Sequence, residues 1–156
     1  MHVTDRTLVV DASVAVAVCL GRAGFESPFG HGRLMAPCLT WPETASALRE
    51  LHRRGEVDEK TAANDLERLL DAPIEPYAGG ELQREATAVA AALGWAKTYD
   101  AEYGALARLI DAPLVTIDTR LARRAGGLAH HPRPDGALTI PASHEGSGPP
   151  PSLPIR

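Results

Sequence analysis

Lysine is nearly missing from this 156-residue chain, with Lys60 and Lys97 the only two, and aromatic residues make up 4% of it. Its formal net charge of −4 argues against a protein that holds nucleic acid by an overall positive field, since phosphate affinity comes largely from Lys and Arg. Two cysteines, Cys19 and Cys38, are too few for a disulfide framework and lack the paired spacing of a zinc site. Both are expected as reduced core residues. No stretch approaches the roughly 20 apolar residues that a membrane span needs. The N-terminus reads as a buried strand, not as a basic, apolar, cleavable leader, so a cytoplasmic protein with no membrane contact is expected.

Other absences narrow the chemistry. A dinucleotide-binding domain shows a glycine-rich turn after its first strand, and here Asp11-Ala12-Ser13 follows Leu8-Val9-Val10. A phosphatase of the haloacid dehalogenase type needs a second aspartate two residues after the first, where this chain has Ser13. A two-component receiver domain needs a lysine after a late strand, and neither lysine lies there.

What is present is an alternation of short apolar runs and amphipathic segments. Thr7 to Val10 and Leu114 to Ile117 are apolar runs that read as buried strands, as parallel sheets require, and Leu34 to Ala36 and Ile74 to Tyr77 offer two further short strands. A weak further strand is expected near Leu128 to His130. Helices are expected over Ser13 to Leu20, Thr40 to Arg54, Asp58 to Leu70, Glu81 to Leu93, a segment carrying Tyr99, Tyr103, Leu106 and Ile110, and Thr119 to Ala125. Their limits are marked by Asp, Thr and Pro at the starts and by Gly21, Gly55 and Gly94 at the stops. In the Asp58 to Leu70 helix, Leu66, Leu69 and Leu70 are expected to form the buried stripe. Phe25 to Arg33 reads as loop, and prolines, glycines and serines dominate from Pro141 onward. The expected organisation is an α/β domain over residues 1–140 with a mostly parallel sheet, followed by a disordered tail over 141–156.

In an open parallel sheet, ligands bind beyond the carboxyl ends of the strands, and the residues there are acids. Asp11 follows the first strand and Asp118 follows Ile117; Glu43 opens the helix after the second strand, and Asp100 opens the helix that leads to the last. Each has a purely structural reading. Asp11 and Asp118 suit helix caps, Thr40 and Glu43 have capping-box spacing, and Asp100 complements a helix dipole. The set is harder to explain this way, because Ser, Thr or Asn also cap, whereas hard divalent cations require anionic oxygen. Gly104 lies one turn after Asp100 and leaves room beside its carboxylate.

Five stretches carry a resemblance: Val9-Val10-Asp11-Ala12-Ser13; Pro42-Glu43 with Ala45 to Arg49; Tyr99-Asp100-Ala101; Tyr103 to Ala107; and Leu114 to Asp118 with Leu121-Ala122. In this order the chain resembles the PIN-domain family, and within it the toxin component of VapBC-type toxin–antitoxin pairs. The resemblance implies a three-layer α/β/α fold with a short, mostly parallel central sheet. It also implies an endoribonuclease dependent on Mg2+ or Mn2+, with Asp11, Glu43, Asp100 and Asp118 catalytic and Asp11, Asp100 and Asp118 as metal ligands. RNA would be the substrate, a cognate antitoxin protein the regulating partner, and a homodimer the assembly. Ser13 would orient Asp11, and Thr116 or Thr119 would do the same near Asp118. Thr119, Arg120 and Leu121 follow Asp118 where some members carry a further acid.

Arg120, Arg123, Arg124, His130, His131 and Arg133 form the most basic region, placed either to guide an RNA backbone or as solvated surface. Trp41 and Trp95 are expected to pack in the core. The competing functional reading is a catalytically inactive PIN fold that keeps its acids and serves as a protein- or RNA-binding module.

Overall fold

Residues 7–21, 32–124, 131–132 and 138–140 are described in the computed structural model of the chain. The expected loop over Phe25 to His31, the strand near Leu128 to His130, the side chains of the basic region beyond Arg124, and the 141–156 tail lie outside them.

Short apolar runs form the strands. In chain order the elements are β1 (Leu8–Val10), α1 (Ala12–Cys19), β2 (Leu34–Pro37), α2 (Thr40–Arg53), α3 (Glu59–Leu70), β3 (Ile74–Tyr77), α4 (Gly80–Ala92), α5 (Tyr99–Leu109), β4 (Leu114–Thr116), α6 (Thr119–Arg124), β5 (His131–Pro132) and β6 (Leu138–Ile140). The sheet order is β3-β2-β1-β4-β6-β5. β1 pairs in parallel with β2 and β4, and β2 with β3; β6 is antiparallel to both β4 and β5. Successive strand residues point to opposite faces, and both faces are covered. Val9 and Leu114 pack with Leu82, Ala86 and Leu106 of α4 and α5. Leu8, Val10, Leu34 and Val115 pack on the other face with Val14 of α1. A further cluster of Ala15, Cys19, Leu48 and Leu69 knits α1, α2 and α3 together. This is the expected three-layer α/β/α architecture.

Local chemistry sets the helix ends. Asp58 caps α3 by accepting from the Thr61 amide at 2.7 Å, and Gly55 and Gly94 take the left-handed conformations that end α2 and α4. The capping box does not form. α2 starts at Thr40 itself, with Leu39 in the cap position. The buried Thr40 hydroxyl therefore meets Tyr103 instead of a helix amide. Cys19 is buried as expected, but Cys38 is exposed, because the chain turns outward at the carboxyl end of β2. Trp41 and Trp95 are half-buried, each leaning on a core cluster.

The stripe expected on α3 narrows to one leucine. Leu69 is fully buried, whereas Leu66 and Leu70 are 37% and 58% exposed; the inward face of α3 is shared by Leu69 and Asp65. This geometry predicts unequal costs for two neighbouring changes. Leu69→Ala should destabilise the fold by about 3 kcal/mol, in the range for emptying a packed site, while Leu70→Ala should stay within about 0.5 kcal/mol. Midpoints of urea unfolding for the two variants would check the contrast, and equal shifts would refute this packing.

Candidate active site

The strand order reverses direction at β1, whose neighbours are β2 on one side and β4 on the other. The crevice beyond the carboxyl ends of β1 and β4 is thus a topological switch point, where open α/β sheets bind their ligands. Asp11 leaves β1 there, and Asp118 leaves β4 two residues past its last paired position.

Asp11 is held on all sides. As the N-cap of α1 it accepts at Oδ1 from the Val14 amide at 3.0 Å and from the Ser13 hydroxyl at 2.7 Å. Its Oδ2 accepts from the Thr116 hydroxyl at 2.5 Å. Thr116 Oγ1 in turn accepts from the Asp118 amide at 3.0 Å, and Ser13 Oγ accepts from the Ile117 amide at 3.2 Å. Ser13 orients Asp11, as expected. Thr116 does more than expected: it braces Asp11 by its proton and the Asp118 backbone by its lone pair. The Thr119 hydroxyl is not one of the groups that brace either acid, and Asp118 Oδ1 caps α6 by accepting from the Arg120 and Leu121 amides at 2.8 and 3.3 Å.

Glu43 comes from the first turn of α2. Its Oε2 accepts from the Tyr103 hydroxyl at 2.5 Å, and Tyr103 Oη accepts from Thr40 at 3.3 Å. Tyr103 is buried in α5, one turn beyond the exposed Asp100, so a single helix supplies both an acid and the tether of another. A Cβ added at Gly104 would meet nothing within 4 Å among the described residues, although Gly104 itself is buried in α5. Asp100 Oδ2 lies 3.4 Å from Arg124 Nη1.

The acids interact electrostatically. Burial is the main cause of a raised Asp11 pKa, opposed by the hydrogen bonds from Thr116, Ser13 and Val14 and reinforced by the charge of Asp118. Glu43 is also raised, first by desolvation, against the Tyr103 hydrogen bond, and then by the charges of Asp100, Asp11 and Glu102. An abnormally high titration among these acids is expected from their mutual repulsion, and the direction holds; burial, however, outweighs repulsion. Desolvation and the bond to Glu43 push the Tyr103 phenol far up, so it stays a donor. Glu102, a buried glutamate bound by Gln83 at 3.0 Å, adds to this field and is not legible as a member of it from spacing.

Hard carboxylate oxygens that repel one another are the donor set suited to a hard divalent cation. The expected convergence into one coordination sphere is not met by the side chains as they stand: among the described residues, no three His, Cys, Asp or Glu groups are placed to hold an ion. The physical reason lies in their competing partners. Asp11 spends both oxygens on donors, Glu43 is drawn to Tyr103, and Asp100 to Arg124. The residues fit a cation in chemistry and in shared field, and a bound ion requires Asp100 to turn from Arg124.

The chain is similar to known proteins. The PIN domain family model matches residues 8–127. VapC ribonuclease Mb0985 from Mycobacterium bovis and ribonuclease VapC9 from Mycobacterium tuberculosis are each 35% identical over 118 residues, covering 74% of this chain and 88% of theirs. Among solved structures, the crystal structure of PAE2754 from Pyrobaculum aerophilum aligns with a TM-score of 0.62 at 27% identity, covering 79% of this chain and 87% of that one.

Burying a carboxylate costs stability when its folded pKa lies above the unfolded one. Such a group favours folding while protonated in the native state, so its contribution is present below the unfolded pKa and is lost as pH rises through the folded pKa. Asp11 is raised, so its ionisation opposes folding at neutral pH without added cations. Asn still caps a helix. Asp11→Asn should therefore raise the melting temperature at pH 7 in chelator, by about 3 °C for each kcal/mol in a domain of this size. The gain should shrink on acidification. Calorimetry across pH checks it, and a variant less stable than the parent at pH 7 would overturn the account.

Proposed function

The chain belongs to the PIN-domain family, in its VapC-type branch, and from that premise we propose that it is an endoribonuclease dependent on Mg2+ or Mn2+, the toxin of a toxin–antitoxin pair. One observation carries the reading. Asp11, Glu43, Asp100 and Asp118 come from four separate elements at the switch point, and after burial the charge of Asp118 raises Asp11 and those of Asp100 and Asp11 raise Glu43. A fold gains nothing from such repulsion, whereas a cation site uses it.

In this reading Asp11, Asp100 and Asp118 hold the cation, which when bound supplies Lewis-acid stabilisation of a phosphodiester and lowers the pKa of water. The chain's own groups do the rest. Ser13, Thr116 and the Val14 amide fix Asp11 so that it does not rotate away. Tyr103 fixes one oxygen of Glu43 and leaves the other to take a proton from the attacking water. Asp100, exposed on the first turn of α5, is the acid that an RNA backbone can reach from solvent. RNA is the substrate and the cytoplasm the compartment of this work; no helix among the described residues is long and apolar enough to cross a membrane.

Two assemblies belong to the same proposal. Leu70, 58% exposed on α3, suits a homodimer with a self-complementary interface. A groove of about 210 Å3 between α2 and α3, with Ala45, Leu48, Ala62 and Leu66 along it, suits an amphipathic segment of a cognate antitoxin.

Purified protein should cleave single-stranded RNA with Mg2+ or Mn2+, lose the activity in chelator and regain it when the ion is restored. Asp118→Asn should lower the rate by about a hundredfold or more, at least what removal of a supporting group costs at metal sites. The second reading, an inactive PIN fold serving as a binding module, is favoured if pure protein binds RNA yet yields no cleavage with either ion. Sedimentation at micromolar concentration tests the dimer separately; a monomer there removes the role given to Leu70.

A further inference from the structure

The basic end of α6 makes a contact that the proposed chemistry leaves unused. The Arg124 guanidinium carbon stands 5.7 Å from the centroid of the Trp95 ring, while Nη1 reaches Asp100 Oδ2 at 3.4 Å. The ring is a fixed platform. Trp95 leans on the core cluster of α4 and α5, follows the left-handed Gly94, and donates its amide to the Ala90 carbonyl at 2.8 Å. Arg124 and Asp100 are by contrast 57% and 53% exposed, and an ion pair in that much water is weak and easily exchanged. Arg120 also approaches an acid, Asp118 Oδ1 at 3.7 Å, but among the described residues Arg124 is the one arginine stacked on an aromatic ring.

A guanidinium with its face on an indole keeps its edge donors free, and five N–H groups are more than one carboxylate oxygen can use. The contact to Asp100 is therefore exchangeable while the stack is not displaced. We propose that Arg124 is an RNA-positioning residue, held on Asp100 until a divalent cation takes that carboxylate and then turned toward an RNA backbone phosphate, with Trp95 as its pivot. The proposal rests on the metal-dependent ribonuclease reading. A cation and Arg124 compete for Asp100, because both are positive and one carboxylate serves them. A phosphate at the site accepts from Arg124 and is attracted by the cation, so RNA favours the state in which the two have parted. The result is coupling: cation binding prepares the arginine for RNA, and by reciprocity RNA favours cation binding.

The test compares the full chain with Arg124→Gln. Mg2+ binding is measured by titration calorimetry at constant ionic strength without RNA. With Trp41→Phe in both chains, Trp95 is the only tryptophan, and its emission is followed through the same titration. Binding of a short single-stranded RNA is measured against salt in Mg2+, with Glu43→Gln in both chains to prevent cleavage. The expected results are Mg2+ half-saturation at about two- to fivefold lower concentration in Arg124→Gln, the range for losing one exposed competing pair; an Mg2+-dependent Trp95 emission change in the parent that the variant lacks; and a salt slope for RNA lower by about 0.7, one phosphate contact on a single strand. Equal Mg2+ affinity and equal salt slope in the two chains would overturn the role of Arg124 and leave the metal-dependent reading standing. Absence of Mg2+ binding to both chains would overturn the two together.

Discussion

The hydrogen bond from Thr116 to Asp11 is the joint on which the site depends. It links the carboxyl ends of two parallel strands 105 residues apart in sequence, at the place where the sheet changes direction. Backbone pairing alone aligns β1 and β4, but it ends at Val10 and Val115, one residue short of the acid. Beyond that point one backbone bond remains, from the Asp11 amide to the Val115 carbonyl at 3.4 Å, and side chains set the rest of the geometry. Thr116 and Ser13 do so by serving both sides, each donating to Asp11 and each accepting an amide from the chain that leaves β4. A buried carboxylate is tolerated because its oxygens are satisfied this way, and the same bonds that make it tolerable make it rigid.

Glu43 is tethered by different means with the same effect. Its partner Tyr103 is buried and has its own donor in Thr40, so the phenol proton is committed to the carboxylate. α2 and α5 lie in different layers of the molecule, and this contact joins them across the carboxyl edge of the sheet. Two of the four acids are thus fixed by buried hydroxyls. Asp118 is steadied by the amides of the helix it caps. Asp100 alone is held by an exposed and exchangeable partner, which makes it the acid that moves most cheaply. The division is consistent with the proposed cation site, since a site that admits and releases an ion requires at least one ligand without a buried lock.

Much of this architecture is legible in the sequence because it is local. The apolar runs fix the strands, and an acid directly after such a run has to emerge at the sheet edge, which is where Asp11 and Asp118 stand. Helix periodicity puts Asp100 on the first turn of α5. Spacing fails where a contact is distant or where one residue type has two uses. Thr40 and Glu43 stand three apart, as a capping box requires, yet Thr40 enters the helix and both side chains turn to Tyr103, a partner 60 or more residues away. Leu66, Leu69 and Leu70 look equivalent in sequence, and only the angle at which α3 meets α1 and α2 decides that Leu69 alone is buried. Cys38 shows the converse error, where an apolar residue beside a buried strand lands on the outside of a turn.

The electrostatics explain why a negatively charged chain can be read as an RNA-binding protein. Four of the acids gather at one edge, and burial has already made two of them reluctant to ionise. Arg124 and Arg120 stand on that edge and set positive charge against Asp100 and Asp118. A phosphate approaching before any cation would meet arginines already engaged by carboxylates and would gain little from them. In the proposed reading, cations that neutralise the acids leave those arginines without a competing anion and make the local field more positive, although the protein's total charge shifts by only the ions bound. On that reading, affinity for RNA follows the occupancy of the site more than the composition of the chain, so net charge is a poor guide to ligand class wherever acids and arginines share one edge of a sheet.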